Sequence, residues 1–207
     1  MGLDPVTYAS FAAAVTVICI TPGPDMLYVL SQGIRLGQRA GLLAAVGMAV
    51  GMACHTALVA VGTAALITSF PLLFQALRIT GAGYLLYLAW HTFRSSDRLT
   101  LAEDAERAPL SGVFRRAVLV NLLNPKIVLF YLAFLPQFVN TAAGGASRQL
   151  LILGMTFAGI GFLIDAIIGV TAGQCGRRLQ QSPAAGRWLN RFAGVVLLGL
   201  AVRVALA

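Results

Sequence analysis

Long apolar runs separated by short polar connections make up most of this chain. Each run is long enough for a membrane crossing, because a helix needs about 20 residues to cross the ~30 Å hydrocarbon layer of a bilayer. The stretch from Ala40 to Leu77 has no charged side chain and is too long for one crossing, but Pro71 supplies a turn within it. The pattern therefore predicts an all-α integral membrane protein with six transmembrane helices in one domain, residues 1–207. The predicted spans are about 6–31, 41–68, 72–93, 113–139, 150–173 and 188–206, and a polar cytoplasmic loop occupies 94–112.

The composition agrees with a lipid environment and excludes a soluble domain. Apolar residues make up 58% of the chain and charged residues 11%, against about 25% in a typical soluble domain. The three cysteines have no C-x-x-C spacing and predict neither a disulfide framework nor a metal site. The first apolar run ends in Thr-Pro-Gly-Pro-Asp rather than in a small-residue cleavage site, so we expect it to be retained as the first span.

Basic residues are divided unequally between the two sides of the predicted membrane domain. Eleven arginines lie in or beside the loops that follow spans 1, 3 and 5, whereas Arg148 and Arg203 lie on the other side. Because cytoplasmic loops are enriched in Lys and Arg, both termini are predicted to face the periplasm. The net charge of +8 is therefore read as a topology signal and not as nucleic-acid binding. The eleven residues are Arg35, Arg39, Arg94, Arg98, Arg107, Arg115, Arg116, Arg177, Arg178, Arg187 and Arg191.

Proline motifs interrupt spans 1 and 4 at similar depths. Each motif is typical of a helix that stops and restarts, with Thr21 or Asn124 as the N-cap and the next proline as the first helical residue. The restarted ends would direct free N–H groups and a positive dipole end at a shared gap, which suits a carboxylate. Paired interruptions in two inverted three-helix halves indicate a transporter binding site, while simple packing kinks are the alternative. The motifs consist of Thr21, Pro22, Gly23, Pro24 and Asp25 in span 1, and Asn124, Pro125 and Lys126 in span 4.

Three charged side chains fall inside the predicted spans: Asp25, Lys126 and Asp165. A charge at the centre of a membrane helix costs ~2.5–3.5 kcal/mol on insertion scales, so such residues face protein or water and mark functional sites. Lys126 also lies in the first turn of a restarted helix, where a cation is unfavourable. It therefore needs an anionic partner, either Asp25 or the carboxylate of a substrate, whose ammonium would face Asp25 or Asp165. A structural Asp25–Lys126 ion pair is the alternative to a substrate site.

Proton coupling is predicted at Asp165, Asp25 or His55. Burial of an acid in an apolar helix disfavours its charged form, which makes Asp165 the first candidate. His55 occupies roughly the place in span 2 that Asp165 occupies in span 5. The alternative interpretation of His55 is a core residue whose hydrogen bonds are satisfied.

Glycines spaced four residues apart predict close helix packing, either within the bundle or between copies of the chain in a homo-oligomer. Two pairs lie inside predicted spans. A third set overlaps the loop after span 1, where we do not expect helix packing. The pairs are Gly47 with Gly51 and Gly169 with Gly173, and the loop set is Gly33, Gly37 and Gly41.

Signatures of known enzyme classes are missing from the sequence. It has no HExxH, G-x-S-x-G or Walker A motif. We therefore predict no enzyme activity, no cofactor and no metal site, and without a nucleotide site transport would be driven by an ion gradient. The alternatives are an exporter of inorganic cations, or a membrane-embedded enzyme or scaffold whose charged residues are structural.

Three segments resemble the lysine/homoserine exporter family, the LysE/RhtB type. They are ITPGPDMLYVLSQGIRLGQRAGLLAAVGMAVG at 20–51, GAGYLLYLAWHTFRS at 81–95 and NLLNPKIVLFYLAFLPQFV at 121–139. The third is the most specific, and the order of its Asn-Pro-Lys after Pro-Gly-Pro is a strong signature.

The resemblance implies a fold, a function and a set of site residues. The fold is six helices, and the function is export of amino acids or close derivatives across the bacterial inner membrane, typically coupled to the proton gradient. The substrate class includes lysine, threonine, homoserine and homoserine lactones, so the implied partners are an amino acid, protons and the bilayer. Asp165 matches an acidic position of the fifth helix. The motif positions carried over are Pro22, Gly23, Pro24, Asp25, Asn124, Pro125 and Lys126.

Overall fold

A computed structural model describes residues 4–69 and 109–180 of the chain. It also describes ten single positions elsewhere, all of them helical: 72, 75, 76, 79, 83, 86, 87, 90, 195 and 198. Apart from these positions, predicted spans 3 and 6 lie outside the described residues. Most of the predicted loop 94–112 lies outside them too.

All regular secondary structure in the described residues is helical. The chain forms α1 (Pro5–Ile20), α2 (Pro24–Leu36), α3 (Gln38–Ser69), α4 (Leu110–Leu122), α5 (Pro125–Leu129) and α6 (Ala146–Gln180). Between α5 and α6 lie a π-helical turn (Phe130–Phe134) and two 3₁₀ turns (Leu135–Phe138 and Thr141–Ala143).

Two of these helices are long and apolar enough to cross a bilayer, and the number rises to four if each bent pair is one span. The apolar stretches are Gln38–Gly62 in α3 and Ala146–Gln174 in α6. The pair α1 and α2 is bent by 56°, and α4 is bent by 47° from the segment Pro125–Phe138. The chain is therefore an all-α membrane protein, and spans 1 and 4 are broken at their proline motifs.

Prolines produce both breaks through the residue that precedes each of them. Thr21, Gly23 and Asn124 each precede a proline, and each has an extended backbone, with ψ of 123°, 176° and 109°. A proline ring disfavours the α conformation of the preceding residue, so no helix can run through these positions. The breaks therefore follow from local sterics.

At the first break, the predicted capping is wrong. Thr21 ends α1 and does not begin α2, because its hydroxyl donates to the Val17 carbonyl oxygen at 2.9 Å. Gly23 is the N-cap of α2 and Pro24 is its first residue, while Pro22 lies in the link. The sequence shows two prolines two residues apart, and only the second can start a helix because it holds Gly23 extended.

At the second break, the predicted capping is confirmed. Asn124 is the N-cap of α5, Pro125 is the first helical residue, and Asn124 Oδ1 accepts a hydrogen bond from the Lys126 backbone N–H at 3.1 Å. The sequence predicts free backbone N–H groups at this helix end. The N–H of Lys126 is not free, because the Asn124 side chain accepts its hydrogen bond.

Helix α6 is the centre of the described bundle and packs along α3, α2 and α1. It approaches α3 closely, because a Cβ atom added at Gly41 would lie 2.5 Å from the Gly169 carbonyl oxygen. A Cβ added at Gly33 would meet the same oxygen at 2.5 Å. The expectation that the loop set makes no helix contact is therefore wrong for Gly33 and Gly41, because α2 and α3 extend through that predicted loop.

The other two glycine pairs also pack within the chain. Gly47 faces Ala117 and Gly51 faces Asn121, which brings α3 against α4, and Gly173 faces Gln38. These contacts account for the glycine spacing inside one copy of the chain.

An aromatic core fills the space between α1, α6 and the segment after α5. The ring centroids of Phe11 and Phe138 are 5.1 Å apart, and those of Phe130 and Phe157 are 4.8 Å apart. Beside them, the Tyr131 hydroxyl lies 3.1 Å from Thr56 Oγ1 and donates to the Gly154 carbonyl oxygen at 3.3 Å. This core anchors the segment that carries the second break against α1, α3 and α6.

Adding a methyl group at Gly169 should destabilise the bundle, because the new Cβ would meet the backbone of Gly41 at 2.6 Å and backbone cannot move aside. We expect Gly169→Ala to lower the free energy of unfolding by about 1–3 kcal/mol. On the same helix, an added Cβ at Gly159 meets none of the described residues within 4 Å, so Gly159→Ala should raise the free energy of unfolding by about 0.5–1 kcal/mol. Thermal melting in detergent checks both variants, and equal shifts would contradict the close approach.

Candidate functional site

A buried ion pair joins the two broken spans. Lys126 Nζ lies 3.1 Å from Asp25 Oδ1, and only 4% and 9% of the two side chains are exposed. The ammonium also donates to the carbonyl oxygens of Thr21 at 3.1 Å and Ile18 at 3.5 Å. Three protein oxygens therefore satisfy the three N–H donors of Lys126.

The helix ends at the first break suit both charges. Lys126 contacts the carbonyl end of α1, which carries the negative end of the helix dipole. Asp25 lies in the first turn of α2, at the positive end. The sequence predicts an unfavourable interaction between the Lys126 charge and the positive dipole end at the start of α5. The negative dipole end of α1 offsets this interaction, and no local sequence pattern indicates that contact.

Gly23 leaves the space in which the ion pair forms. A Cβ atom at this position would lie 2.6 Å from Asp25 Oδ1 and 2.8 Å from Lys126 Nζ. The backbone of Gly23 is extended, with φ of −158°, so any residue could adopt it. The glycine is therefore required by the space that the charges occupy and not by its backbone conformation.

Asp165 completes a group of three buried charges. It lies on α6 with 7% of its surface exposed, within electrostatic range of both Asp25 and Lys126. Among the described residues, no cation lies within salt-bridge distance of its carboxyl group. One turn before it, Gly161 faces Met52 and Cys19, which places this part of α6 beside the end of α1.

The structure brings most of the predicted site residues to these two breaks, and His55 contacts residues on either side of the second break. His55 lies on the side of α3 that faces the second break, with its ring 5.4 Å from that of Tyr131 and its imidazole against the Asn121 backbone. Asn124 caps α5, while Pro22, Pro24 and Pro125 shape the links.

Two features of this site are not predicted from the sequence: the position of Asn121, and the role of Gly23 in leaving space for the ion pair. Asn121 is 1% exposed and lies one turn before Asn124. Its signal was present, since an amide in an apolar span three residues before Asn-Pro-Lys falls on the same helix face. No sequence signal could have shown that the ion pair lies directly over Gly23.

Two broken helices that meet at buried charges inside an apolar helical bundle are typical of membrane transport proteins. The chain belongs to the LysE type translocator family, whose family model matches residues 16–207. It is therefore a translocator and not an enzyme.

Three similar proteins align with nearly the whole chain. An uncharacterized membrane protein of Vibrio cholerae is 32% identical over 99% of this chain and 99% of its own length. A leucine efflux protein of Enterobacter sp. (strain 638) is 34% identical over 91% of this chain and 90% of its own. A leucine efflux protein of Klebsiella pneumoniae is 31% identical over 96% and 94%. No solved structure matches the chain.

Proposed function

We propose that this protein exports an amino acid or a close derivative from the cytoplasm, by exchange for protons. Support comes from the buried Asp25–Lys126 pair, which supplies one charge for each charge of a zwitterion. Family membership and relatives named as leucine efflux proteins support the same substrate class, with leucine as the first substrate to test.

In this proposal, the ion pair is the substrate-free form of the site. A zwitterion would offer its carboxylate to Lys126 and its ammonium to Asp25 or Asp165, so that both protein charges exchange partners. Because Lys126 joins the α1–α2 break to α5, loss of its bonds to Thr21 and Asp25 would free the two broken spans to move against each other. Binding and opening are thereby linked through one side chain.

Efflux from proteoliposomes tests the proposal. The purified protein is reconstituted with a panel of labelled amino acids, including leucine, lysine, threonine and homoserine, with and without an imposed pH gradient. We expect export of at least one of them, accelerated by the gradient. Export of none of them, or export of inorganic cations instead, would refute the proposed function.

Asparagine at position 165 should uncouple export from the pH gradient. Asp165 is buried without a counter-ion at salt-bridge distance among the described residues, which makes it the first candidate for the proton-coupling step. We expect Asp165→Asn to lower gradient-driven export at least about a hundredfold, the low end of what a positioned proton-transfer group contributes, with an unchanged or higher melting temperature. Asp4→Asn, at an exposed helix cap, is the matched control and should leave both unchanged. A wild-type rate with unchanged gradient dependence in Asp165→Asn would remove this residue from the coupling step.

Both termini are proposed to lie on the periplasmic side of the inner membrane. The basis is the unequal distribution of arginines between the two sides. A reporter that is active only outside the cytoplasm, fused to either end, should be active in both fusions. An inactive C-terminal fusion beside an active N-terminal one would require an odd number of crossings.

A further inference from the structure

Among the described residues, three buried polar atoms at the second break have no hydrogen-bond partner. They are His55 Nε2, Asn121 Oδ1 and Asn124 Nδ2. The exposed fractions of these residues are 8%, 1% and 2%. Buried polar groups are nearly always paired in folded proteins, so an unpaired group calls for a ligand or another explanation.

The three residues are neighbours at the seam between α3 and α4. Asn121 faces the backbone of Gly51, where an added Cβ would lie 2.6 Å from Asn121 Oδ1. His55 follows Gly51 by one helical turn, and its imidazole lies against the Asn121 backbone. The Asn124 N–H donates to the Asn121 carbonyl oxygen at 3.0 Å, and Asn124 Oδ1 caps the Lys126 N–H. Asn124 therefore connects this cluster directly to the residue that forms the ion pair.

The side-chain ammonium of Lys126 shows which partners a buried ammonium group requires. Lys126 Nζ is held by one carboxylate and by two uncharged carbonyl oxygens. The ammonium of a substrate needs a similar set, because it also has three N–H donors. Asp25 and Asp165 supply carboxylates, and at the seam between α3 and α4 the uncharged acceptors Asn121 Oδ1 and His55 Nε2 have no partner among the described residues.

We propose that Asn121 and His55 form an uncharged acceptor subsite for the ammonium group of the transported molecule, with Asn124 Nδ2 donating to its carboxylate beside Lys126. This inference rests on the proposed function. It assigns a substrate contact to Asn121 and recasts His55 as a binding residue. It also defines the ligand class, since a molecule with the carboxylate but without the ammonium leaves both acceptors unpaired.

Binding of L-leucine and of 4-methylpentanoate, the same molecule without the amino group, tests the subsite. Both are measured on the purified full-length protein by equilibrium dialysis, beside thermal melting without ligand. Asn121→Leu keeps the branched shape of the side chain and removes the unpaired acceptor, so its melting temperature should equal or exceed that of the wild type. We expect leucine to bind about tenfold more weakly, a typical effect of losing one hydrogen bond to a charged group, while binding of 4-methylpentanoate stays unchanged. His55→Leu should give the same selective loss and serves as the second variant.

Thr56→Val is the matched control. Thr56 is buried next to His55, but its hydroxyl is already bonded to the Met52 carbonyl oxygen and to Tyr131. This variant should melt at a lower temperature and keep the preference for leucine over 4-methylpentanoate. If Asn121→Leu and His55→Leu keep that preference too, or weaken both ligands equally with a lower melting temperature, the subsite is refuted. Wild-type export of no amino acid would instead refute the proposed function on which it rests.

Discussion

Replacement of Lys126 by alanine is expected to abolish export and to lower the free energy of unfolding by about 3–5 kcal/mol, the usual effect of removing one partner of a buried ion pair. The variant would leave the Asp25 carboxylate buried without its cation. It would also remove the donor that binds the carbonyl oxygens of Thr21 and Ile18 at the end of α1. Thermal melting in detergent and liposome efflux measure the two effects.

A second substitution separates the structural part of this effect from the functional part. In Lys126→Ala with Asp25→Asn, neither member of the ion pair is left as an unpaired charge, so we expect at least half of the lost stability to return. Export should stay absent, because neither charge is left for a zwitterion. A stable and fully active Lys126→Ala protein would contradict both roles, and with them the assignment of the site to the two breaks.

The chain offers a direct readout of this residue, since Lys126 is its only lysine. An amine-reactive label followed by peptide mapping therefore reports on one side chain. Lys126 is 3% exposed in the structure and is expected to react slowly in the resting protein. Faster reaction during efflux would support an exchange of partners by Lys126, whereas an unchanged rate would argue for a permanent structural pair.

The positions of the breaks could be predicted from the sequence because their cause is local. A proline acts on the residue before it, so Thr21 and Asn124 mark helix ends wherever the chain folds. The charges Asp25, Lys126 and Asp165 could also be predicted as one group, since isolated charges are costly in a membrane and must meet inside the bundle. The local rule failed only at Thr21, where two nearby prolines left the start of α2 ambiguous.

The remaining features depend on distant contacts that no local pattern specifies. Lys126 is held by the end of α1, more than a hundred residues away in the chain. Gly33 and Gly41 pack on Gly169 because α2 and α3 extend through the predicted loop. This packing could therefore not be predicted without the true lengths of the two helices. Whether the Asn121 and His55 side chains have hydrogen-bond partners also depends on how α3 packs against α4.

Alanine at position 23 is expected to abolish export while leaving the helices in place. The extended backbone of Gly23 accepts alanine without strain, so the effect comes from the added Cβ alone. That atom would lie within 3 Å of both Asp25 Oδ1 and Lys126 Nζ, the ends of two flexible side chains. These two side-chain ends can move away from the added Cβ, but this movement breaks the contact between Asp25 and Lys126. We expect a stability loss of about 1.5–3 kcal/mol, the value of one hydrogen bond to a charged group.

A double-mutant cycle shows whether this loss arises at the ion pair. In the background of Lys126→Ala with Asp25→Asn, no charged ends remain in front of position 23, so Gly23→Ala should then cost little. The control is Gly62→Ala in α3, where an added Cβ meets no atom of the described part of the chain within 4 Å and stability should rise by about 0.5–1 kcal/mol in either background. Equal losses from Gly23→Ala in both backgrounds would mean that the glycine serves the link between α1 and α2 itself. A loss that depends strongly on the background would establish that position 23 requires glycine because the Asp25 and Lys126 side chains meet in the space that a Cβ atom would fill.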